Sequence, residues 1–387
     1  MSDYRYLIVG GGMTGDAAVK GIRELDADGA IGLVGAEGDA PYARPPLSKA
    51  LWKGKDEDSI WRGTADAGAE LLLGRTIVSL DTGARRATDD RGESHGYEKL
   101  LLATGGAPRR LPNASDDVVY FRTLADYRRL REVAGEGKRV VVIGGGFIGS
   151  ELAAALRAQG CEVTIVFPED GIGARIFPAG LASFVNDYYR EHGVEVLAGE
   201  LVDAVEPGAV RLQSGRTLEA DAVVAGLGIV PTVELAAAAG LETGDGIAVD
   251  DRGRAGRDDV FAAGDVARFP SKLLGVDTRV EHEDHAKSHG KQVGRNMAGA
   301  DEPYDHLPFF YSDLFELGYE AVGETDPRLE VLAEWADPNR KGVVAYLDGS
   351  GRPRGFLLWD VWGKVGAATE LIRDGKPVDA AALRALL

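Results

Sequence analysis

Residues 140–151 read Val-Val-Val-Ile-Gly-Gly-Gly-Phe-Ile-Gly-Ser-Glu, and they are the most informative segment for the architecture. Four consecutive β-branched residues are typical of a strand that is buried in a parallel sheet. The run stops at three glycines and resumes as an apolar helical pattern from Leu152 to Leu156. The stretch therefore predicts a strand, a tight turn and a helix.

The spacing Gly144-x-Gly146-x-x-Gly149 within this turn is the dinucleotide-binding pattern. The first glycine makes the turn, the second lets the backbone approach a pyrophosphate, and the third lets the helix pack closely on the strand. The helix N-terminus adds N–H groups and a positive dipole end for the phosphates. A plain structural turn can have the same spelling, but the strand before it and the helix after it favour dinucleotide binding.

An acidic residue follows at the expected distance. The predicted strand Glu162–Phe167 leads to Glu169, which lies 25 residues after Gly144. A carboxylate there can hold the ribose hydroxyls of NAD and would repel the extra phosphate of NADP. This position favours NAD over NADP.

A second copy of the pattern lies at the N-terminus. Predicted strand 6–9 leads into Gly10-x-Gly12-x-x-Gly15, a helix is predicted from Asp16, and the acid of this copy is Glu37. The two modules lie 134 positions apart (144 minus 10). Two such modules in one chain predict an α/β fold with two Rossmann-like domains, one for a flavin and one for a nicotinamide, held face to face.

The loop after Glu37 carries three prolines between Pro41 and Lys49, which predict an ordered loop without a helix in its first part. Its cations Arg44 and Lys49 follow the first phosphate site, although a solvated basic loop is the alternative interpretation.

Two further strands are predicted downstream. The strand within 97–109 ends in a Gly-Pro turn, which indicates the exit from the first module, and the strand within 259–267 ends at Gly264-Asp265. An acid at the carboxyl end of a strand faces the ligand crevice of an open α/β sheet, although Asp265 could instead cap a helix. The following segment 281–286 opens a helix with charge near the same crevice.

A metal site is not expected on that helix. His282, His285 and His289 have a suggestive spacing, but Lys287, Lys291 and Arg295 make their surroundings unfavourable for a cation.

From about Tyr304 the chain becomes aromatic and strand-rich, which predicts a smaller α+β domain. We expect a discontinuous FAD-binding domain (1–111 and 241–303), an NAD-binding domain (112–240) and a C-terminal α+β domain (304–387).

The composition of the 387 residues limits the classes of function that the protein can have. The net charge of −18 argues against nucleic acid as a partner, because phosphate binding needs a basic footprint. The single cysteine, Cys161, excludes a disulfide or a Cys-x-x-Cys pair within the chain and is expected to be a buried, inert thiol. Neither a signal peptide nor a membrane span is expected, which favours a cytoplasmic protein.

The combination of motifs resembles the two-dinucleotide-domain flavoprotein reductases of the glutathione-reductase type. Within them the chain is similar to the branch of ferredoxin reductases, monodehydroascorbate reductase and apoptosis-inducing factor. The resemblance spans the whole chain and rests on residues 41–49, 103–108, 144–151, 261–265 and 281–286.

The resemblance implies FAD and NADH as cofactors and a role for each matching residue. Lys49, Glu151, Phe147 and His282 would be the catalytic group: Lys49 near the hydride-accepting nitrogen of the flavin, Glu151 facing Lys49, Phe147 covering the flavin, and His282 near flavin and nicotinamide. The implied cofactor-binding residues are Gly10, Gly12, Gly15, Glu37, Arg44, Lys49, Ala103, Thr104, Gly105, Asp265, Glu281, His282 and Tyr311, together with Gly144, Gly146, Gly149, Glu151, Glu169 and Gly228.

Two departures from that family bear on function. The chain lacks the redox cysteine pair of the disulfide reductases, so electrons must leave the flavin directly. Tyr311 replaces the Trp that many relatives carry before Ser312-Asp313, which affects the choice of acceptor.

The function expected from these residues is NADH-dependent reduction of FAD, followed by electron transfer to an acceptor. The acceptors favoured are a ferredoxin or rubredoxin, then a quinone, ascorbyl radical or oxygen. The alternative is an NADH-responsive sensor or interaction protein similar to apoptosis-inducing factor, with slow turnover. The chain is expected to be a monomer or a homodimer, with a state that could depend on redox.

Overall fold

The computed structural model describes residues Ser2–Leu387. The α-helices of this part of the chain are α1 (Met13–Arg23), α2 (Leu124–Val133), α3 (Phe147–Ala158), α4 (Ala179–Glu191), α5 (Glu234–Ala238), α6 (Glu283–Met297), α7 (Val365–Asp374) and α8 (Ala380–Arg384). Short 3₁₀ turns are formed by Pro45–Ser48, Glu57–Ile60 and Gly264–Val266.

The strands of the first 225 residues are β1 (Ser2–Val9), β2 (Ile31–Gly35), β3 (Ala69–Leu73), β4 (Ile77–Asp81), β5 (Arg86–Asp89), β6 (Ser94–Leu102), β7 (Gly106–Pro108), β8 (Val119–Tyr120), β9 (Arg139–Ile143), β10 (Glu162–Phe167), β11 (Val194–Ala198), β12 (Val202–Glu206), β13 (Ala209–Leu212), β14 (Thr217–Glu219) and β15 (Ala222–Ala225). The later strands are β16 (Ile229–Pro231), β17 (Thr243–Gly244), β18 (Gly246–Ala248), β19 (Arg254–Arg257), β20 (Val260–Ala262), β21 (Ala267–Ser271), β22 (Val276–Thr278), β23 (Phe309–Leu314), β24 (Leu317–Gly323), β25 (Glu330–Asp337), β26 (Lys341–Leu347) and β27 (Pro353–Trp359).

The chain divides into two compact units. The first unit comprises Met1–Arg44, Glu57–Ala107 and Val230–Pro308, and the second comprises Pro45–Asp56, Pro108–Ile229 and Phe309–Leu387. The segment that carries Lys49 therefore groups with the second unit. The division into three domains by cofactor remains a prediction.

The first unit is built on a sheet of order β19-β20-β6-β1-β2-β3, to which β5 and β4 are attached at β6. Strand β1 runs parallel to both β6 and β2. Its alternate residues pack on opposite faces of the sheet: Ile8 joins the cluster of Val19 on α1 and Val293 on α6, and Leu7 joins that of Phe269. The strand order reverses at β1, so the loop after β1 lies where doubly wound sheets bind ligands.

The second unit repeats this arrangement with the parallel sheet β11-β10-β9-β15-β8. The strand and helix predicted around residues 140–151 are confirmed as β9 and α3. In the first unit the predicted helix start was wrong by three residues, because α1 begins at Met13, directly after the glycine turn. The first part of the proline loop, residues 41–44, has no helix, as predicted, and a 3₁₀ turn follows at Pro45–Ser48, since proline is tolerated in the first turn of a helix.

The C-terminal part of the second unit is the antiparallel sheet β23-β24-β27-β26-β25. Phe177, from the segment after β10, packs edge-on against Tyr319 and Trp359 of this sheet, with both ring centroids at 5.2 Å. These aromatic contacts join the C-terminal sheet to the parallel sheet of the same unit. Among the described residues, no helix has both the length and the apolar character that crossing a membrane requires.

Candidate functional site

The glycine turn of the second unit is shaped by close backbone contacts. Gly144 has φ of +112°, and a Cβ there would lie 2.5 Å from the carbonyl oxygen of Gly226. A Cβ on Gly149 would lie 1.8 Å from the carbonyl oxygen of Gly144, so only glycine allows α3 to start this close to β9. Gly146, by contrast, has no atom within 4 Å of a Cβ built on it. The open side of Gly146 fits a pyrophosphate that approaches the backbone.

The glycine turn of the first unit has the same three properties. Gly10 has φ of +131°, and a Cβ there would lie 2.1 Å from the carbonyl oxygen of Ala103. A Cβ on Gly15 would lie 2.2 Å from the carbonyl oxygen of Gly10, whereas nothing lies within 4 Å of one on Gly12. Both turns end at a helix N-terminus without a side-chain cap, at Gly12 and Gly146. The uncapped N–H groups fit phosphate oxygens in each unit.

A substitution at Gly146 should weaken cofactor binding without affecting folding. We expect Gly146→Ala to fold normally, because the added methyl group meets no protein atom and φ of −84° suits alanine. The methyl group would obstruct the pyrophosphate, so NADH binding should weaken at least about tenfold. The matched control is Gly180→Ala in α4, where a Cβ also meets nothing within 4 Å. NADH titration and thermal unfolding check both, and normal NADH affinity in Gly146→Ala would contradict the assignment.

The two acids predicted to bind ribose both have cationic neighbours. Glu37 accepts hydrogen bonds from Tyr42 Oη and from Arg44 Nη2, each at 2.5 Å. Although burial opposes it, the proximity of Tyr42, Glu37 and Asp265 holds the pKa of the Arg44 guanidinium above its usual value. Glu37, Arg44 and Asp265 are therefore brought together within the first unit.

Glu169, at the end of β10, accepts hydrogen bonds from Arg175 at 3.0 Å and 2.8 Å. The Arg175 side chain is 85% exposed and that of Glu169 is 29% exposed. The carboxylate of Glu169 is thus accessible to a ribose.

Asp265 and His282 are neighbours in the first unit. Burial lowers the pKa of His282 to about 4, against the opposing charges of Asp265 and Asp284. The backbone carbonyl of Asp265 accepts a hydrogen bond from Arg279, which also pairs with Glu281 at 2.7 Å. His282 is therefore a neutral imidazole at neutral pH, in the segment where the predicted crevice residues Asp265, Glu281 and His282 meet.

The next two histidines of this segment are packing groups. His285 stacks on Phe269, and its Nδ1 lies 3.1 Å from the Tyr304 hydroxyl. His289 Nδ1 accepts the backbone N–H of Gly264 at 3.3 Å, which holds the turn before Asp265. Burial lowers the pKa of His289 to about 3 and that of His285 well below its usual value. Both rings therefore stay neutral and support the Gly264–Val266 turn.

The second unit contains a buried ion pair. Lys49 Nζ lies 2.6 Å from Glu151 Oε1, and the two side chains are 12% and 4% exposed. Lys49 Nζ also lies 5.2 Å from the centroid of the Tyr311 ring. The structure therefore places three of the predicted site residues together although they come from the proline loop, α3 and β23.

Phe147 is the first residue of α3 and meets Phe310 edge-on, with ring centroids 5.1 Å apart. Tyr311, the next residue of β23, is 38% exposed. The remaining predicted residues lie at strand ends. In the first unit, Ala103 follows β6 and Thr104 Oγ1 donates to the carbonyl of Thr232, while the carbonyl of Gly105 accepts from the N–H of Thr232. In the second unit, the carbonyl of Gly228 accepts from the N–H of Arg109.

Three residues that contact the candidate site residues were not predicted from the sequence, namely Ser48, Ser312 and Arg279. Ser48 and Ser312 both donate to the Glu151 carboxylate, and Arg279 is nearly buried with its guanidinium on the Asp265 carbonyl. A signal existed for Ser312 alone, because it is a polar residue at an inward position of a strand otherwise lined by aromatic and aliphatic residues.

One carboxylate–histidine cluster lies apart from the glycine turns. Asp89, Glu93 and His95 are close enough to share a cation. Arg75 already bonds both carboxylates, and together with the His95 bond it lowers the pKa of Asp89 although burial opposes this. Both carboxylates of this cluster are therefore already paired with a cation, the Arg75 guanidinium.

Comparison with known proteins agrees with these two nucleotide cradles. Residues 4–290 match the family described as pyridine nucleotide-disulphide oxidoreductase, and residues 293–341 match the C-terminal domain of mitochondrion-associated apoptosis-inducing factor. Apoptosis-inducing factor 1 of Dictyostelium discoideum is 34% identical over 98% of this chain and 80% of its own length. The ferredoxin–NAD(+) reductase component of the anthranilate 1,2-dioxygenase system of Burkholderia cepacia is 34% identical over 98% of this chain and 96% of its own. Monodehydroascorbate reductase 3 of Arabidopsis thaliana is 33% identical over 83% of this chain and 81% of its own.

Solved structures resemble the whole chain. The chain superposes on the covalent putidaredoxin reductase–putidaredoxin complex with a TM-score of 0.92 and 30% identity, over 99% of this chain and 96% of that one. The ferredoxin reductase of the CYP199A2 system of Rhodopseudomonas palustris gives 0.91 and 32% identity over 100% of both chains. The chain therefore belongs to the pyridine nucleotide-disulphide oxidoreductase family, in its ferredoxin-reductase-like branch, and is an oxidoreductase whose cofactors are FAD and NAD(H).

Proposed function

We propose that this protein takes a hydride from NADH onto FAD and passes the electrons to an external acceptor, most favourably a ferredoxin- or rubredoxin-type iron–sulfur protein. The observation that carries the proposal is the cysteine content. The chain has one cysteine, Cys161, and it is buried, with a thiol pKa that burial raises. A dithiol relay within the chain is therefore impossible, and electrons must go from the flavin to a separate molecule.

The flavin, when bound, supplies the chemistry that turns a two-electron donor into a source of single electrons. The residues of this chain bind and position. In the proposal the turn Gly10–Gly15 holds the pyrophosphate of FAD and the turn Gly144–Gly149 holds that of NADH. Lys49 and Glu151 would supply a fixed charge pair for the reacting groups, and Phe147 would cover the flavin in the absence of NADH.

The NADH-binding site can be tested at Glu169, the predicted ribose-binding acid. We expect Glu169→Ala to weaken NADH binding about tenfold and to leave the bound FAD unchanged, because ribose loses a charge-assisted hydrogen-bond acceptor. The preference for NADH over NADPH should fall as well, because Arg175 loses its partner and can meet a 2′-phosphate. NADH and NADPH titrations measure both effects. Glu195→Ala, an exposed acid of the neighbouring strand, is the matched control, and an unchanged NADH affinity in Glu169→Ala would remove Glu169 from the site.

Similarity supports the choice of an iron–sulfur acceptor. One relative is named as a ferredoxin–NAD(+) reductase, and a structure of 30% identity was solved in complex with putidaredoxin. The net charge of −18 weighs against an acidic ferredoxin, which would need a basic docking patch. The monodehydroascorbate reductases support a small acceptor as second choice.

The experiment that tests the proposal is anaerobic stopped-flow absorbance of the purified yellow protein. The protein is mixed with NADH and then with ferredoxin, rubredoxin, a quinone, ascorbyl radical or air. Fast flavin bleaching and fast reoxidation by one of these acceptors are expected. Absence of bleaching with NADH and with NADPH would overturn the proposal.

A second candidate function is favoured by the match of residues 293–341 to the C-terminal domain of apoptosis-inducing factor. In this alternative the protein is reduced by NADH, reoxidises slowly and changes a partner surface. Size-exclusion chromatography with and without NADH distinguishes the two functions. A change in oligomeric mass together with slow reoxidation by every acceptor would favour the sensor, and fast turnover without a change in mass would exclude it.

A further inference from the structure

The Glu151 carboxylate receives more hydrogen bonds than its ion pair with Lys49 explains. Ser48 Oγ lies 2.5 Å from Glu151 Oε2, and Ser312 Oγ lies 2.6 Å from Glu151 Oε1. Lys49 Nζ is 2.6 Å from the same Oε1. Both serines are buried, at 3% and 0% exposure. The carboxylate is therefore enclosed by three donors within the second unit.

These donors come from separate parts of the chain. Ser48 closes the 3₁₀ turn Pro45–Ser48, Ser312 lies in the middle of β23, and Glu151 lies on the second turn of α3. Ser312 is paired across the strands with Tyr319 of β24. The C-terminal sheet thus reaches the helix that begins at the glycine turn.

The neighbouring Ser150 behaves differently. Its hydroxyl donates to the carbonyl of Phe147 in its own helix at 3.0 Å and makes no contact with the Glu151 carboxylate. It is equally well buried, at 4% exposure. Ser150 is therefore a natural control for a buried hydroxyl on the same helix.

The direction of these hydrogen bonds selects a charge state. An ionised carboxylate only accepts, and each serine has a single proton to donate. Hydrogen bonds to an ionised group are shorter and stronger than neutral ones, and they favour the charged form over the protonated one. Two hydroxyl donors and one ammonium therefore match the ionised form of Glu151, whose oxygens accept from all three.

We propose that Ser48 and Ser312 are positioning residues that hold Glu151 ionised and oriented towards Lys49. Through Glu151 they hold the Lys49 ammonium in one place. The proposal deepens the proposed function and rests on it for its kinetic consequence, but not for the charge state of Glu151. It also assigns the C-terminal sheet a role in the charge pair.

The charge state is measured directly by infrared spectroscopy of the purified FAD-containing protein as the pH is lowered. In the double variant Ser48→Ala/Ser312→Ala, the C=O stretching band of a protonated carboxylic acid should appear at higher pH than in the wild type. The band should be missing when Glu151→Gln is added, which assigns it. The other titratable groups that face Glu151 are Lys49, Tyr189 and Tyr319, and burial raises the pKa of both tyrosines well above the usual value, so neither contributes charge.

Two variants separate hydrogen bonding from packing. Ser150→Ala should titrate like the wild type. Ser312→Cys leaves no cavity but replaces a strong donor by a weak one, so it should shift in the same direction as Ser312→Ala. If the double variant does not retain FAD, Ser312→Cys and Ser48→Cys carry the test. If the carboxyl band of every serine variant has the same pH profile as that of the wild type, the proposal is wrong.

The kinetic readout distinguishes this inference from the proposed function. Flavin bleaching by NADH should be about tenfold slower in the double variant than in the wild type, and unchanged in Ser150→Ala. If the wild type itself is not bleached, the proposed function fails and the infrared titration still decides the role of the serines. If the wild type is bleached and the double variant bleaches at the same rate with an unshifted carboxyl band, the inference fails alone.

Discussion

Replacing Glu151 by alanine should lower the free energy of unfolding by about 3–5 kcal/mol, because it leaves the buried ammonium of Lys49 without its counter-charge. Lys49 is only 12% exposed, so water cannot replace the lost carboxylate fully. Ser48 and Ser312 also lose their acceptor, and unsatisfied buried hydroxyls add to the loss. Urea unfolding of the purified protein, followed by far-UV circular dichroism, measures the change.

Two further variants distinguish the effect of an unpaired buried charge from the effect of lost packing. Lys49→Met/Glu151→Leu removes both charges and should recover a large part of the stability, since a buried ion pair is costly to break but not costly to replace. Lys53→Ala breaks the exposed pair with Asp313, which has a distance of 3.7 Å and a 68% exposed lysine, and should cost less than about 1 kcal/mol. Equal losses in Glu151→Ala and in the double replacement would show that packing, and not the unpaired charge, causes the effect.

The second large effect concerns acid. The free energy of unfolding should fall as the pH is lowered from about 6.5 towards 4. In this range the histidines of the unfolded chain bind protons, whereas the buried histidines of the folded first unit stay neutral. In the folded state burial lowers the pKa of His282 to about 4 and that of His289 to about 3, and it lowers that of His285 further below its usual value. Each folded pKa lies below the unfolded one, so this contribution to stability is present above pH 6.5 and is lost as pH falls. For His282 alone the loss is roughly 3 kcal/mol by pH 4.

His285→Phe tests this source of acid sensitivity. The ring already stacks on Phe269, with centroids 4.9 Å apart, and Tyr304 keeps its hydrogen bond to Ser288. The variant should therefore fold and show a shallower decline of urea midpoint between pH 6.5 and 4. His306→Gln, which removes an exposed histidine paired with Asp284, is the control variant. An unaltered slope in His285→Phe would place the acid sensitivity elsewhere in the chain.

The elements that position both nucleotide turns could be predicted from sequence because their signals are local. The β-branched run 140–143, three glycines and an apolar helix pattern lie within about twenty residues, and the structure has β9, the turn and α3 there. The same holds for β1 and α1, apart from the start of α1 at Met13. Glu169 was predictable for the same reason, since the length of one strand, one helix and a second strand determines its distance from Gly144.

Pairing within the site was not predictable from spacing alone. Glu151 lies 102 residues from Lys49 and 161 residues from Ser312, and its contact with Lys49 was expected only through family resemblance. The location of Lys49 in the compact unit of Glu151, and not in that of Gly10, also came from tertiary contacts. No periodicity encodes which loop will meet which helix, because such contacts depend on how whole sheets pack.

Local patterns in the sequence were enough to predict both nucleotide-binding turns, to exclude a dithiol relay within the chain, and to place an acid, Glu169, where a ribose is expected. The contacts of Ser48 and Ser312 with the Glu151 carboxylate, and those of His285 and His289 near the Gly264–Val266 turn, became visible only in the folded chain. A glycine turn follows from the backbone of its own residues. The charge state of a buried carboxylate or imidazole depends instead on donors, acceptors and desolvation that distant segments supply.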